Sequence, residues 1–180
     1  MALPQKQDYT VEDIYALPEG QRAELINGQI YNMAPPSTTH QRIVTRLSSL
    51  IDSYIQQKHG SCEVFVAPFA VFLNDDNRNY VEPDISVICD KNKLDDHGYH
   101  GAPDWIVEVT SPNAPQRDYG IKLFKYRTAG VREYWVVNPQ KKTVMVYDFE
   151  SELLSNQYIF DDDISVCIYS DLIININKLI

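Results

Sequence analysis

The spacing of apolar residues along the chain changes between two periods and predicts a mixture of helices and strands. Apolar residues recur at steps of three and four from Ile43 to Tyr54, which predicts a long amphipathic helix over about residues 40–57. Asn27-Gly28 between two short apolar runs predicts a hairpin turn, because both residues tolerate positive φ. Further predicted helices cover residues 11–17 and 116–129, and predicted strands cover 23–26, 29–33, 63–73, 81–89, 105–110, 133–137 and 144–149, with weaker strand patterns at 158–160 and 164–169.

Local signals indicate where several of these elements begin and end. Ser37 can cap the long helix, and Gly130 can close the last predicted helix in a left-handed conformation. Pro68 should bend the strand predicted over residues 63–73 or place that point at a sheet edge. The order of elements, with neither repeat nor linker, predicts one domain over residues 1–180 with a mixed α/β sheet and helices on its faces.

Composition places the chain among ordinary globular proteins. Hydrophobic residues make up 44% and charged residues 23% of the 180 residues, which argues against a disordered or collagen-like chain. The first residues are too polar for a signal peptide, and the apolar run over residues 64–73 covers about half of a membrane span. We therefore expect a cytoplasmic protein with no membrane partner. Cys62, Cys89 and Cys167 show no readable disulfide or zinc pattern and are expected to be small buried apolar residues.

Charge is distributed unevenly along the chain. The net charge of −9 argues against a protein that binds DNA through an overall basic surface. Residues 113–142 contain seven of the sixteen Lys and Arg residues and only two acids, which leaves +5 in this segment and −14 in the remainder. Such a segment could hold an anionic substrate at one cleft. Solvated helix and turn surfaces produce the same pattern and are its more common cause.

Three acidic residues stand at strand positions where an apolar core is expected. Asp84 follows Pro83 and precedes an apolar run, Glu108 lies inside the strand over residues 105–110, and Glu24 lies in the strand before the hairpin turn. Carboxylates are almost never fully buried alone, so each one faces solvent, pairs with a base or binds a cation. Mg²⁺ or Mn²⁺ would offset the repulsion of two carboxylates ~4 Å apart, about 4 kcal/mol. For each acid taken alone, a solvent-facing position is the competing interpretation.

The Pro83-Asp84 pair followed by Glu108 resembles the PD-(D/E)XK nuclease pattern, although Thr110 occupies the position of the pattern's lysine. The motifs that carry a wider resemblance are YTVEDIYALPEG, AELINGQIYNMAPPSTTHQRIV, VEPDISVI, GAPDWIVEVTSPN and RDYGIKLFKYRTAGVREYWVVNP. In this order they are similar to the Uma-type putative restriction endonuclease family over about residues 9–180. The resemblance implies a restriction-endonuclease-like α/β core, a mixed β-sheet flanked by helices, and metal-dependent hydrolysis of phosphodiester bonds in DNA.

The resemblance also implies a set of site residues. Asp84 and Glu108 match the metal-binding acids, Glu24 matches a supporting acid, and Lys122 matches a lysine that has moved from the strand to the following helix. Lys125 is the competing lysine. The main-chain carbonyl of Val109 is a further expected metal ligand, and Asn138 stands where the family more often has Asp. Contacts to the phosphate backbone are expected from Lys125, Arg117, Arg127, His40 and Arg42, with Arg46 as a further candidate.

Together these residues predict a magnesium- or manganese-dependent endonuclease that acts on DNA as a symmetric homodimer. Thr110 in place of the strand lysine keeps a second interpretation open, a catalytically inactive binding module on the same fold. A third class, a small-molecule metalloenzyme, would use the acids without the basic segment. His97 and His100 could form a zinc site only with further ligands.

Overall fold

The structure, a computed structural model, describes residues 8–111, 116–151 and 154–180. Helices and strands follow one another along the chain much as the apolar pattern predicts. The first half contains α1 (Val11–Tyr15), β1 (Ala23–Ile26), β2 (Gln29–Asn32), α2 (Thr38–Gln57), β3 (Glu63–Val66) and β4 (Ile85–Ile88). The second half contains β5 (Leu94–Asp95), β6 (Gly98–Tyr99), β7 (Trp105–Val109), a π-helical segment (Arg117–Lys122) that runs into α3 (Leu123–Ala129), β8 (Glu133–Asn138), β9 (Thr143–Asp148), β10 (Leu154–Ile159), β11 (Ile164–Ser165), β12 (Ile173–Ile174) and α4 (Ile176–Leu179).

Six strands form one mixed sheet with the order β10-β9-β8-β7-β4-β3. β7 and β8 are parallel neighbours, and the chain passes from one to the other through the π-helical segment and α3. The other neighbouring pairs of this sheet are antiparallel. β1 and β2 form a separate antiparallel hairpin across the Asn27-Gly28 turn. The predicted mixed α/β sheet with flanking helices is therefore confirmed.

The sheet separates two apolar layers, and this separation decides where Glu108 points. On one face, α2 packs its apolar side against the alternate residues Trp105, Val107 and Val109 of β7. Successive residues of a strand point to opposite faces, so Ile106 and Glu108 point to the other face. There the β1–β2 hairpin and α3 contribute to the second layer.

Two strands are shorter in the structure than predicted, and a proline lies in the part of each that is not regular strand. The strand predicted over residues 63–73 ends at Val66, because Pro68 has no N–H to continue a ladder; β3 is an edge strand, as this proline indicated. The strand predicted over residues 81–89 is regular only over β4, which begins two residues after Pro83. Both prolines lie beside the candidate site, at the same end of the paired strands.

The prediction for the cysteines is wrong. Cys62 and Cys89 lie at neighbouring ends of the paired strands β3 and β4 and form a disulfide bond. Cys167 is exposed. The two cysteines are 27 residues apart, and only the register of the two strands brings their sulfur atoms together. The sequence therefore could not predict the disulfide bond.

The caps of the main helices agree with the local signals. Ser37 Oγ accepts a hydrogen bond from the His40 N–H at 3.2 Å and so caps α2. Gly130 ends α3 with a φ of +101°. Within the described ranges, no helix is both long enough and apolar enough to cross a membrane.

We expect Ser37→Ala to lower the free energy of unfolding by about 1 kcal/mol, because the first-turn N–H of His40 loses its acceptor. Urea denaturation followed by circular dichroism measures the change. Ser49→Ala, at an exposed position of the same helix, is the control and should be neutral or slightly stabilising, since Ala has the higher helix propensity. Equal losses in both variants would contradict the capping role.

Candidate active site

A buried lysine lies between two buried carboxylates on the α3 face of the sheet. Lys122 Nζ is 2.8 Å from Glu24 Oε1 and 2.7 Å from Glu108 Oε1. The exposed fractions of Glu24, Glu108 and Lys122 are 0%, 5% and 2%. β1 supplies Glu24, β7 supplies Glu108 and the π-helical segment supplies Lys122. The solvent-facing interpretation is therefore wrong for both glutamates, which pair with a base instead.

Further hydrogen bonds hold the two glutamates in place. Tyr126 OH donates to Glu108 Oε1 at 2.7 Å, and the Glu82 N–H donates to Glu24 Oε1 at 3.1 Å. These bonds end on the same oxygen atoms that Lys122 contacts. Glu24 Oε2 is buried and has no hydrogen-bond partner among the described residues. A buried carboxylate oxygen without a partner is costly, which makes it a candidate ligand for a donor or a cation.

Asp84 lies directly before β4, and its carboxylate reaches the end of β7. Asp84 Oδ2 accepts a hydrogen bond from the Val109 N–H at 2.8 Å and lies 3.0 Å from His40 Nε2. An ionised Asp84 is an acceptor only, so His40 donates through Nε2. The other ring nitrogen of His40 is buried without a partner in the described part of the chain. A cleft of about 200 Å³ is lined by Asp84, Glu108, Val109, His40, Arg22, Arg117, Asp118 and Lys122, among others.

Burial changes the proton affinity of the groups in this cleft. It raises the pKa of Glu108 to about 8, against the opposing charge of Lys122 and with added repulsion from Asp84. Burial likewise raises the pKa of Asp118 to about 6. Burial disfavours the charged form of Lys122, but Glu108 and Glu24 outweigh this effect and raise its pKa. Burial therefore favours the protonated form of Glu108, and a second cation nearby would favour its ionised form.

The structure distinguishes the two candidate lysines. Lys122 contacts the acids of the cleft, whereas Lys125 is buried and its Nζ donates to Asn27 Oδ1 in the hairpin turn at 2.9 Å. The ammonium group of Lys125 is thus used within the protein. This position does not favour the predicted contact of Lys125 with a phosphate.

The other predicted phosphate contacts fall into two groups. Arg117 and His40 line the cleft. Arg127 and Arg42 are exposed and lie outside the cleft lining, and neither forms an ion pair with another described residue.

Asn138, which stands where the family more often has Asp, is the last residue of β8, before the turn to β9. Its Oδ1 accepts hydrogen bonds from the N–H groups of Gln140 and Lys141.

The sequence places two further residues of the site beside Lys122 on its helix but assigns them no role in the site. Asp118 Oδ1 lies 4.0 Å from Lys122 Nζ, and Tyr126 binds Glu108. Each lies four residues from Lys122, and residues at this spacing share one helix face. This spacing was the sequence signal that could have assigned them to the site. The π-helical form of residues 117–122 was also not predicted; within it Asp118 and Lys122 are both buried. Helical segments of this kind occur frequently at functional sites.

The cleft contains two carboxylates, those of Asp84 and Glu108, that could hold a magnesium or manganese ion. Among the residues that the structure describes, no three or more His, Cys, Asp or Glu side chains are placed to hold a metal ion. The possible zinc site around His97 and His100 therefore finds no support. Mg²⁺ commonly uses one or two carboxylates and takes its other ligands from water and substrate phosphates. Asp84 and Glu108 supply that number, and Val109 lines the cleft beside them.

We expect the protein in EDTA to lose stability as the pH rises from about 4.5 to about 8. Native Glu108 keeps its proton up to a pKa of about 8, whereas the unfolded side chain releases it near 4.5. Between these values deprotonation favours the unfolded state, so the free energy of unfolding falls with rising pH.

Glu108→Gln is the control for this pH dependence, because the amide keeps an oxygen for Lys122 and Tyr126 but does not titrate. The melting temperature of the variant minus that of the wild type should therefore increase as the pH rises across this range. Parallel profiles for the two proteins would show that the pKa of Glu108 is not raised.

Comparisons with known proteins agree with this architecture. Two uncharacterised proteins of Synechocystis sp. (strain PCC 6803), slr1290 and sll1609, are each 29% identical to this chain, over 128 and 121 residues. These matches cover 71% and 66% of this chain and 66% and 67% of the relatives, so the chain spans about two thirds of the length of the curated relatives it matches.

A solved structure and a family model extend the comparison to nearly the whole chain. The crystal structure of a putative nuclease belonging to DUF820 from Anabaena variabilis superimposes with a TM-score of 0.77. It is 23% identical, covers 94% of this chain and 96% of its own, and shows that the two share a fold. The family model described as Uma2, putative restriction endonuclease, matches residues 11–168. The chain therefore belongs to the Uma2 family of putative restriction endonucleases.

Proposed function

We propose that this protein is a metal-dependent nuclease that hydrolyses phosphodiester bonds in DNA, with Asp84 and Glu108 as ligands of Mg²⁺ or Mn²⁺. The observation that carries the proposal is the contact of Lys122 with Glu108 in the cleft that Asp84 also lines. Carboxylates that bind a metal and a lysine beside them are the groups that such a hydrolysis needs. Membership of a family named for restriction endonucleases supports this choice of chemistry.

Bound by Asp84 and Glu108, the metal ion would polarise the scissile phosphate and lower the pKa of the attacking water. The residues around the two acids keep their oxygens in fixed directions. The Val109 N–H and His40 hold one oxygen of Asp84, and Lys122 holds one oxygen of Glu108. Such outer contacts orient metal ligands and tune their affinity. The carbonyl of Val109 is a further ligand in this proposal.

Lys122 would stabilise the negative charge that develops on the phosphoryl oxygens. An ammonium group carries three donor hydrogens. Glu108 accepts one of them and Glu24 forms an ion pair with the same ammonium group at 2.8 Å, so a donor hydrogen is left for a phosphate oxygen or a water molecule. Glu24 therefore acts as a supporting acid that keeps the lysine charged and in place. Arg117, which also lines the cleft, would contact the phosphate backbone.

A homodimer remains part of the proposal, because two symmetric sites could each cut one strand of a duplex. The alternative, a catalytically inactive binding module, is favoured by one specific observation. The lysine position of the PD-(D/E)XK pattern holds Thr110, and Lys122 is already engaged by two carboxylates. Cleavage and binding must therefore be measured separately.

We expect the wild-type protein to cut plasmid DNA when Mg²⁺ or Mn²⁺ is present. Glu108→Gln should lower the rate about a hundredfold or more, because it removes a charged metal ligand. Lys122→Met should also lose cleavage, whereas Lys125→Met should retain it, since Lys125 donates to Asn27 away from the cleft. A gel assay of plasmid conversion measures the rate.

Folding of the two lysine variants needs a check by circular dichroism, because breaking a buried ion pair costs roughly 3–5 kcal/mol. Loss of cleavage in folded Lys125→Met but not in folded Lys122→Met would reverse the lysine assignment. DNA binding without cleavage by the wild type, with either ion, would favour the binding module.

We also expect Mg²⁺ or Mn²⁺ to stabilise the fold. A ligand that binds only the native state adds about 1.4 kcal/mol at ten times its dissociation constant, which raises the melting temperature by roughly 3–6 °C. Asp84→Asn keeps an oxygen for the Val109 N–H but loses the charged ligand, so it should lose most of the shift. Equal shifts in both proteins would place the ion elsewhere, for example at the acidic residues 161–163.

A further inference from the structure

A groove with aromatic walls adjoins the candidate active site, and we propose that it binds an unpaired nucleobase of the substrate strand. The inference rests on the proposed nuclease function and deepens it by naming the substrate class, nucleic acid with a single-stranded segment. The groove has a volume of about 530 Å³, within the usual range for small-ligand sites. Its aromatic residues are Tyr119, Phe124, Tyr147 and Phe149.

Some of the aromatic rings of the groove stack on one another, and one is largely exposed. Tyr147 stacks on the buried Tyr134 with ring centroids 5.9 Å apart, and Phe149 stacks on Tyr147 at 6.3 Å. Phe124 of α3 lines the same groove and is 68% exposed. An exposed phenylalanine beside ordered rings offers flat apolar surface, and nucleobases stack on such surfaces without regard to sequence.

The charges of the groove suit a base attached to one phosphate. Arg127 is its cationic residue and forms no ion pair within the described part of the chain, so its guanidinium is available to a phosphate. Asp148 and Glu150 also line the groove, and they accept hydrogen bonds from Ser151 and Arg132. Carboxylates repel phosphates but accept hydrogen bonds from the exocyclic amino groups of bases. The acidic part of the groove therefore favours the base itself over a second phosphate.

A recess of about 190 Å³ shares lining residues with both the groove and the active-site cleft. Thr110 and Ser111 line both the cleft and the recess. Tyr119 lines both the recess and the groove. Lys141 lines the recess and has no ion pair among the described residues. These shared residues place the recess, which Lys141 lines, next to both the cleft that Glu108 lines and the aromatic groove.

This arrangement favours a substrate that contains an unpaired segment over a fully paired duplex. In a duplex each base is paired and stacked inside the helix, and extracting it costs a few kcal/mol. A base in a single-stranded segment carries the smallest such cost and can enter the groove directly.

The test measures the binding of a fluorescein-labelled single-stranded oligonucleotide and of a blunt duplex of the same sequence by fluorescence anisotropy. All proteins carry Glu108→Gln and are kept in EDTA, so that cleavage does not interfere with the binding measurement. Adding Phe124→Ala should weaken single-strand binding at least about fivefold and leave duplex binding nearly unchanged. Phe124→Tyr should keep the affinity because it keeps the ring. Ile121→Ala is the matched control, since Ile121 is 42% exposed on the preceding helical turn and does not line the groove.

Unchanged single-strand binding by Phe124→Ala would overturn the inference, and so would equal losses for single strand and duplex. A second copy of the chain is the rival occupant. A smaller species for Phe124→Ala in sedimentation, with unchanged DNA binding, would assign the groove to a contact between copies and overturn the inference. The nuclease proposal fails on a different result, the absence of metal-dependent cleavage by the wild type on either form of DNA.

Discussion

The buried ammonium group of Lys122 is the interaction on which the candidate site depends. It contacts Glu24 of the hairpin and Glu108 of the central sheet while it belongs to the helical segment between β7 and β8. A buried charge is tolerated only when it is paired, and removal of one partner leaves the other uncompensated. Separating these groups would leave a charge buried and unpaired. The ion pairs of Lys122 therefore hold the hairpin, the sheet and the helical layer in one arrangement.

The same interaction explains the negative character of the cleft. Glu24, Glu108 and Asp118 surround one ammonium group, and Asp84 adds a further carboxylate at the rim. Burial raises the pKa of Glu108 and the neighbouring carboxylates add to this effect, so a divalent cation near Asp84 and Glu108 would relieve repulsion. Glu24 and Asp118 thus serve to hold the lysine, whereas Glu108 and Lys122 both hold the structure together and take part in the proposed chemistry with Asp84. An overall charge of −9 is compatible with a polyanionic substrate only if free cations lie close to this rim.

The sequence alone determined the features that depend on neighbours within about one helical turn. Asn27-Gly28 forms the predicted hairpin turn, Ser37 caps α2, and Gly130 ends α3. The apolar spacing also placed the main strands and the mixed sheet. A carboxylate inside an apolar strand was a sound reason to single out Glu108, because its burial without a partner is prohibitively costly.

Only the tertiary structure decided which distant groups meet. No local pattern pairs Glu24 with Lys122, yet Glu24 is fully buried against this lysine, from which α2 and six strands separate it along the chain. The sequence assigned Lys122 and left Lys125 as the competing lysine; in the structure Lys122 contacts Glu108, whereas Lys125 contacts the hairpin turn. The pairing of Cys62 with Cys89 likewise follows from strand register. Residue type and local spacing report what a side chain needs, but its partner depends on how the layers pack, which no local pattern encodes.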